Sequence, residues 1–84
     1  MTKEEIWSVS LERVQAFFRK QNDVTEENAN TFRFLSCRII LTELEPGGTG
    51  IWAAKRIRLR LEGEPADVEN IYHRYFLQFL SAGG

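Results

Sequence analysis

A chain of 84 residues, 43% apolar and 27% charged, is long enough for one domain and too apolar for a disordered tail. Its net charge of −1 and pI of about 5.8 supply no overall positive field, which argues against a general nucleic-acid or membrane-surface binder. A single cysteine, Cys37, excludes an intrachain disulfide, and no run approaches the roughly 20 apolar residues that span a bilayer. The opening MTKEEIW lacks the continuous apolar stretch of a signal peptide, so the cytoplasm is the expected location. So short a chain buries only about 60–65% of the surface it exposes when unfolded, and a partner covering more of it would add stability.

Residues 3 to 20 place Trp7, Leu11, Val14 and Phe18 on one stripe at helical spacing, widened by Phe17 and Ser10. They predict a first helix, with Thr2 as its cap and Glu4 and Glu5 in its first turn. The polar stretch QNDVTEENAN, residues 21 to 30, reads as a connector, with at most one helical turn over Thr25 to Asn28.

Residues 31 to 44 are rich in β-branched and aromatic groups and predict a strand. Residues 51 to 62, IWAAKRIRLRLE, predict a second, alternating cleanly from Lys55. Pro46, Gly47, Gly48 and Gly50 form the turn between them, and so short a link makes the strands antiparallel. Gly63-Glu64-Pro65 ends the second strand. Pro65 then suits the first position of a helix whose apolar face is Val68, Ile71, Tyr72, Tyr75, Phe76 and Phe79, ending near Leu80. The predicted fold is α+β, in the order α-β-β-α: one domain made of an antiparallel hairpin with two helices packed on one face.

Setting Ile39 opposite Ile57 gathers Leu35, Cys37, Ile39 and Leu41 with Ile57, Leu59 and Leu61 on a buried face. The other face then carries Phe34, Ser36, Arg38, Ile40 and Thr42 beside Arg56, Arg58, Arg60 and Glu62, with Leu44 and Trp52 near the hairpin tip. A slip of one residue would bury three arginines, at a cost of several kcal/mol, and is rejected. A hairpin alone is a marginal sheet with two unpaired edges, so a second copy completing a four-stranded sheet is the expected self-partner.

Each candidate site has a plain structural reading beside its functional one. PGGTG leads into a strand without the Lys-Ser/Thr of a phosphate loop, so its glycines shape a turn. His73 stands four residues after Glu69 with no further His or Cys to complete a metal site, and Cys37 falls on the core face as a small apolar group. No nucleophile–base pair, metal set or dinucleotide fingerprint is present, so neither an enzyme nor a cofactor is expected. The arginine row reads plainly as a solvated face with heads paired to acids such as Glu43 or Glu62. Its functional reading is a partner-binding surface of Arg38, Arg56, Arg58, Arg60, Trp52 and Phe34. Arginine forks suit an acidic protein partner, and the expected role is a small non-enzymatic interaction module, homodimeric and off the membrane. The alternative is single-stranded nucleic acid on the same face, with Phe34 and Trp52 stacking on bases.

Overall fold

The computed structural model describes residues 1–48, 50 and 53–82. Where the sequence predicts one helix over residues 3 to 20, two elements stand: strand β1, Thr2–Trp7, and helix α1, Leu11–Arg19. The helix is capped by Ser10, whose hydroxyl accepts from the Arg13 amide at 3.4 Å, and not by Thr2. TKEEIW becomes a strand because tertiary pairing overrides its helical spacing. Its alternation places Lys3, Glu5 and Trp7 toward the core and Thr2, Glu4 and Ile6 outward, with Glu4 opposite Arg60 and Ile6 opposite Arg58.

The predicted connector holds a short strand, β2, Thr25–Asn28, and the long first strand of the predicted hairpin is in fact two. Strand β3, Thr31–Phe34, turns through Leu35 and Ser36 into β4, Cys37–Gly47. This tight turn pairs Phe34 with Cys37 and forces Leu35 into a left-handed conformation, φ 53°, unusual for a side chain with Cβ. The turn is tied down from below. The Ser36 hydroxyl donates to Asp67 at 2.6 Å and accepts from the Glu64 amide at 3.0 Å, and the Ser36 amide also reaches Asp67 at 3.2 Å. Asp67 opens the last helix, so α2, Pro65–Ala82, is locked to this turn.

Strand β5, Ala54–Glu62, completes a five-stranded antiparallel sheet in the order β1-β5-β4-β3-β2. The element order is therefore β-α-β-β-β-β-α, not α-β-β-α, although the class, a small α+β domain, holds. Ile39 faces Leu61 rather than Ile57, four residues from the expected register. Because four is even, the side chains from Cys37 to Leu44 and from Arg56 to Glu62 keep their faces. The hairpin simply runs further, with Gly47 opposite Ala54.

One core joins the two helices to the inward side of the sheet: Val14 and Phe18 from α1, and Val68, Ile71, Tyr75 and Phe79 from α2, meet Phe32, Ile39, Leu41, Ile57, Leu59 and Leu61. Tyr75 is the hub, with Trp7 edge-on at 5.0 Å, Phe79 at 4.8 Å and Phe18 stacked at 6.1 Å. Its hydroxyl is buried with no hydrogen-bond partner among the described residues. β1 docks onto α2 through Glu5, which accepts from the Tyr72 hydroxyl at 2.7 Å and the Trp7 indole at 2.9 Å, with Lys3 lying 4.2 Å from the Tyr72 ring centre. Burial pushes the Glu5 carboxyl up, but the bonds from Tyr72 and Trp7 and the Lys3 charge outweigh it and hold it below the usual carboxylate value. Burial and the neighbouring carboxylate raise the Tyr72 phenol to about 12.

β1 pairing ends at Ile57 and β3 pairing at Ile40, so residues 42–47 and 54–56 continue as a two-stranded arm. No helix among the described residues is long and apolar enough to cross a membrane.

Candidate partner-binding face

The outward face of the sheet is built by alternation. β5 sends Ile57, Leu59 and Leu61 into the core, so Arg56, Arg58, Arg60 and Glu62 must point out. β4 adds Arg38, Ile40, Thr42 and Leu44, β1 adds Thr2, Glu4 and Ile6, and Arg33 of β3 lies opposite Arg38. Arg38 and Arg60 are exposed, and Ile6 keeps 54% of its surface open to solvent.

Most of the arginines find intramolecular partners. Arg60 is held from two sides: Nε donates to Glu62 at 3.0 Å and Nη1 to Glu4 at 3.1 Å, and Glu62 above all, with Glu4, holds its guanidinium charged beyond the ordinary arginine value. Arg33 donates to Glu27 at 3.3 Å, and Arg38 stands 3.8 Å from the same carboxylate. Arg56 folds back across Gly47 and donates through Nε and Nη2 to the Glu45 carbonyl at 3.1 and 3.0 Å, clamping the irregularity where the arm loses register. That carbonyl is neutral, so the Arg56 charge meets no carboxylate within ion-pair distance among the described residues. Arg58, like Arg38, is only loosely paired. Its nearest acid, Glu4, is 3.5 Å away and shared with Arg60, and its guanidinium makes no hydrogen bond among the described residues.

Apolar groups also border Arg58. Ile6 lies directly opposite it on β1, and Thr42 on β4; Ile40 and Leu44, both half-buried, flank Thr42 one step down and one step up the strand. A groove of about 370 Å³ runs along the arm, lined by Leu44, Pro46, Lys55 and Arg56 together with Glu43 and Glu45.

Two expected site residues are not on this surface as described. Phe34 was expected on the outer face, but the Leu35–Ser36 turn flips it inward, where it is 2% exposed with the Arg74 guanidinium 4.9 Å from its ring centre. Arg74 is itself held by Asp23 at 2.9 and 3.0 Å. Leu35, expected in the core, sits in the turn and is 66% exposed. Trp52 lies outside the described residues. Conversely, Glu4 and Ile6 belong to the face and were hidden inside a predicted helix; the alternation of TKEEIW, read as a strand, is the signal that finds them. Away from the face, His73 and Glu69 are exposed on α2, and Cys37 is buried with its thiol pushed up to about 11, chiefly by desolvation. No family model matches the chain, and none of the curated proteins is significantly similar to it.

Proposed function

We propose that this domain is a small non-enzymatic interaction module that binds an acidic protein partner on the outward face of its sheet. The observation that carries the reading is an imbalance of charge on a face that also holds open apolar groups. Arg33, Arg38, Arg56, Arg58 and Arg60 face Glu4, Glu27 and Glu62, with Ile6, Ile40 and Leu44 among them. Exposed arginines paired to acids contribute little to stability, so the pairing alone gives this composition no structural necessity. Apolar groups beside unsaturated arginines are the make-up of interface centres.

An acidic partner fits better than a second copy, because two copies meeting face to face would set positive excess against positive excess. The hairpin also no longer needs a copy to widen it, since β1 and β3 flank it. Nucleic acid loses Phe34 as a stacking platform.

The test is an amide ¹H–¹⁵N titration with polyglutamate and, separately, with short single-stranded oligonucleotides, alongside a mass measurement at tens of micromolar. Shifts gathered on Ile6, Thr42, Leu44, Arg56 and Arg58 with polyglutamate are expected, on a monomeric protein. Shifts with oligonucleotide alone, falling steeply with salt, would reverse the assignment. A dimer whose contact broadens the same residues would assign the face to a second copy.

A further inference from the structure

We infer that the segment recognised on this face is an amphipathic acidic helix, laid diagonally across β1, β5 and β4 with one carboxylate seated between Arg58 and Arg56 and apolar side chains over Ile6 and Leu44. This deepens the bare-face reading and rests on it.

Three observations carry it. The first is the loosely held donor. Arg58 stands 3.5 Å from Glu4, an acid it shares with Arg60, and makes no hydrogen bond among the described residues, whereas Arg60, two residues on, uses its fork on Glu62 and Glu4. A carboxylate arriving at Arg58 completes a fork without breaking a bidentate pair.

The second is spacing. Ile6 and Leu44 lie two strands apart and one two-residue step along, roughly 12 Å by ordinary sheet dimensions, and the line between them passes between Arg56 and Arg58. One heptad of α-helix advances about 10.5 Å, and its positions i, i+4 and i+7 share a face, so two apolar residues and a carboxylate between them match the three points.

The third is that the sheet edges resist the main alternative, addition of an extended strand. β1 turns Lys3 and Glu5 toward the core side; β2 has only four residues, all exposed, with a shifted register. On the arm, Pro46 has no N–H to give and the Glu45 carbonyl is already taken by Arg56. A helix on the face needs none of these edges, and covering a sheet face with a helix is the ordinary two-layer solution.

The test uses fluorescence anisotropy with a labelled, capped Ala/Gln helix of about 16 residues carrying Leu at i and i+7 and Glu at i+4. A second peptide has Gln in place of that Glu. The acidic peptide is expected to bind at least about tenfold more tightly than its Gln twin, the scale of one charge-assisted fork. Arg58→Gln should erase that difference with an unchanged circular dichroism spectrum, Arg58→Lys should keep only part of it, and Arg60→Gln should keep most of it. Ile6→Ser, at an open position, should weaken both peptides alike. Equal binding of the two peptides, or a preference that survives Arg58→Gln, overturns the inference. Polyglutamate shifts on the face without any preference for the helical peptide overturn the helical mode and leave the bare-face reading standing. Silence with both probes overturns the two together.

Discussion

The two faces of β5 are made by the same nine residues and live under different physics. Inward, Ile57, Leu59 and Leu61 are essentially without solvent contact; outward, Arg56, Arg58 and Arg60 alternate with them and stay in water. The outward face divides again. Arg60 is a fixed member of a cluster with Glu4 and Glu62, while Arg58, beside it and sharing Glu4, is left with its fork open. Residue type therefore does not separate a structural arginine from an available one. The acceptors that its fork has found do: two carboxylates for Arg60, a backbone carbonyl for Arg56 and, among the described residues, no hydrogen-bonded group for Arg58.

This division can be broken from the inside first. Leu59→Ala should cost about 2–5 kcal/mol in urea unfolding, as for other buried leucines cut to alanine. If Arg58→Gln costs as much, the outward face is structural and the contrast fails. The next effect is steric. A Cβ on Gly63 would lie 2.7 Å from the Ser36 carbonyl oxygen and 2.8 Å from the Cys37 Cα, both backbone atoms, so Gly63→Ala should cost about 1–3 kcal/mol by the same measurement.

Acid tests the polar seam between β1 and α2. The folded-state pKa of Glu5 lies below its ordinary value of 4.5, so the folded state binds fewer protons there than the unfolded chain. Its contribution is present above that ordinary value and is lost as pH falls through the lowered one. Thermal melts from pH 6 to pH 3 should decline less steeply below about pH 4.5 in Glu5→Gln than in the wild type. Smaller still is Tyr75→Phe. Removing a buried hydroxyl that has no partner should leave stability unchanged or raise it by up to about 1 kcal/mol; a loss beyond that would reveal a bonded hydroxyl.

The sequence showed the faces of the hairpin and the core of α2, because period two and period 3.6 are local signals. The expected register was four residues out, yet Cys37, Ile39, Leu41, Ile57, Leu59 and Leu61 are all buried, since an even error moves no side chain across the sheet. What was not legible depended on distant pairing or on one tight turn. TKEEIW keeps helical spacing with the segment after it and becomes a strand only because β5, more than fifty residues on, offers arginines opposite Glu4 and Ile6. Leu35-Ser36 carries none of the glycine or asparagine that marks a two-residue turn, and its stability comes from Asp67 on another element. That single missed turn exchanged the faces of Phe34 and misplaced it in the site. Of the two carboxylates that occupy Arg60, Glu62 was expected, whereas Glu4 was invisible because it belonged to the missed strand.

The most direct test of the account observes the two arginines together. The Nε–Hε resonances of Arg58 and Arg60 should be recorded at about pH 6, where glutamates are ionised, and at low temperature as polyglutamate is added. The Arg58 signal is expected to exchange quickly with water when free and to shift on addition, while the Arg60 signal, held by Glu62 and Glu4, barely moves. An Arg60 signal that moves first, or two signals that never move, would contradict this expectation.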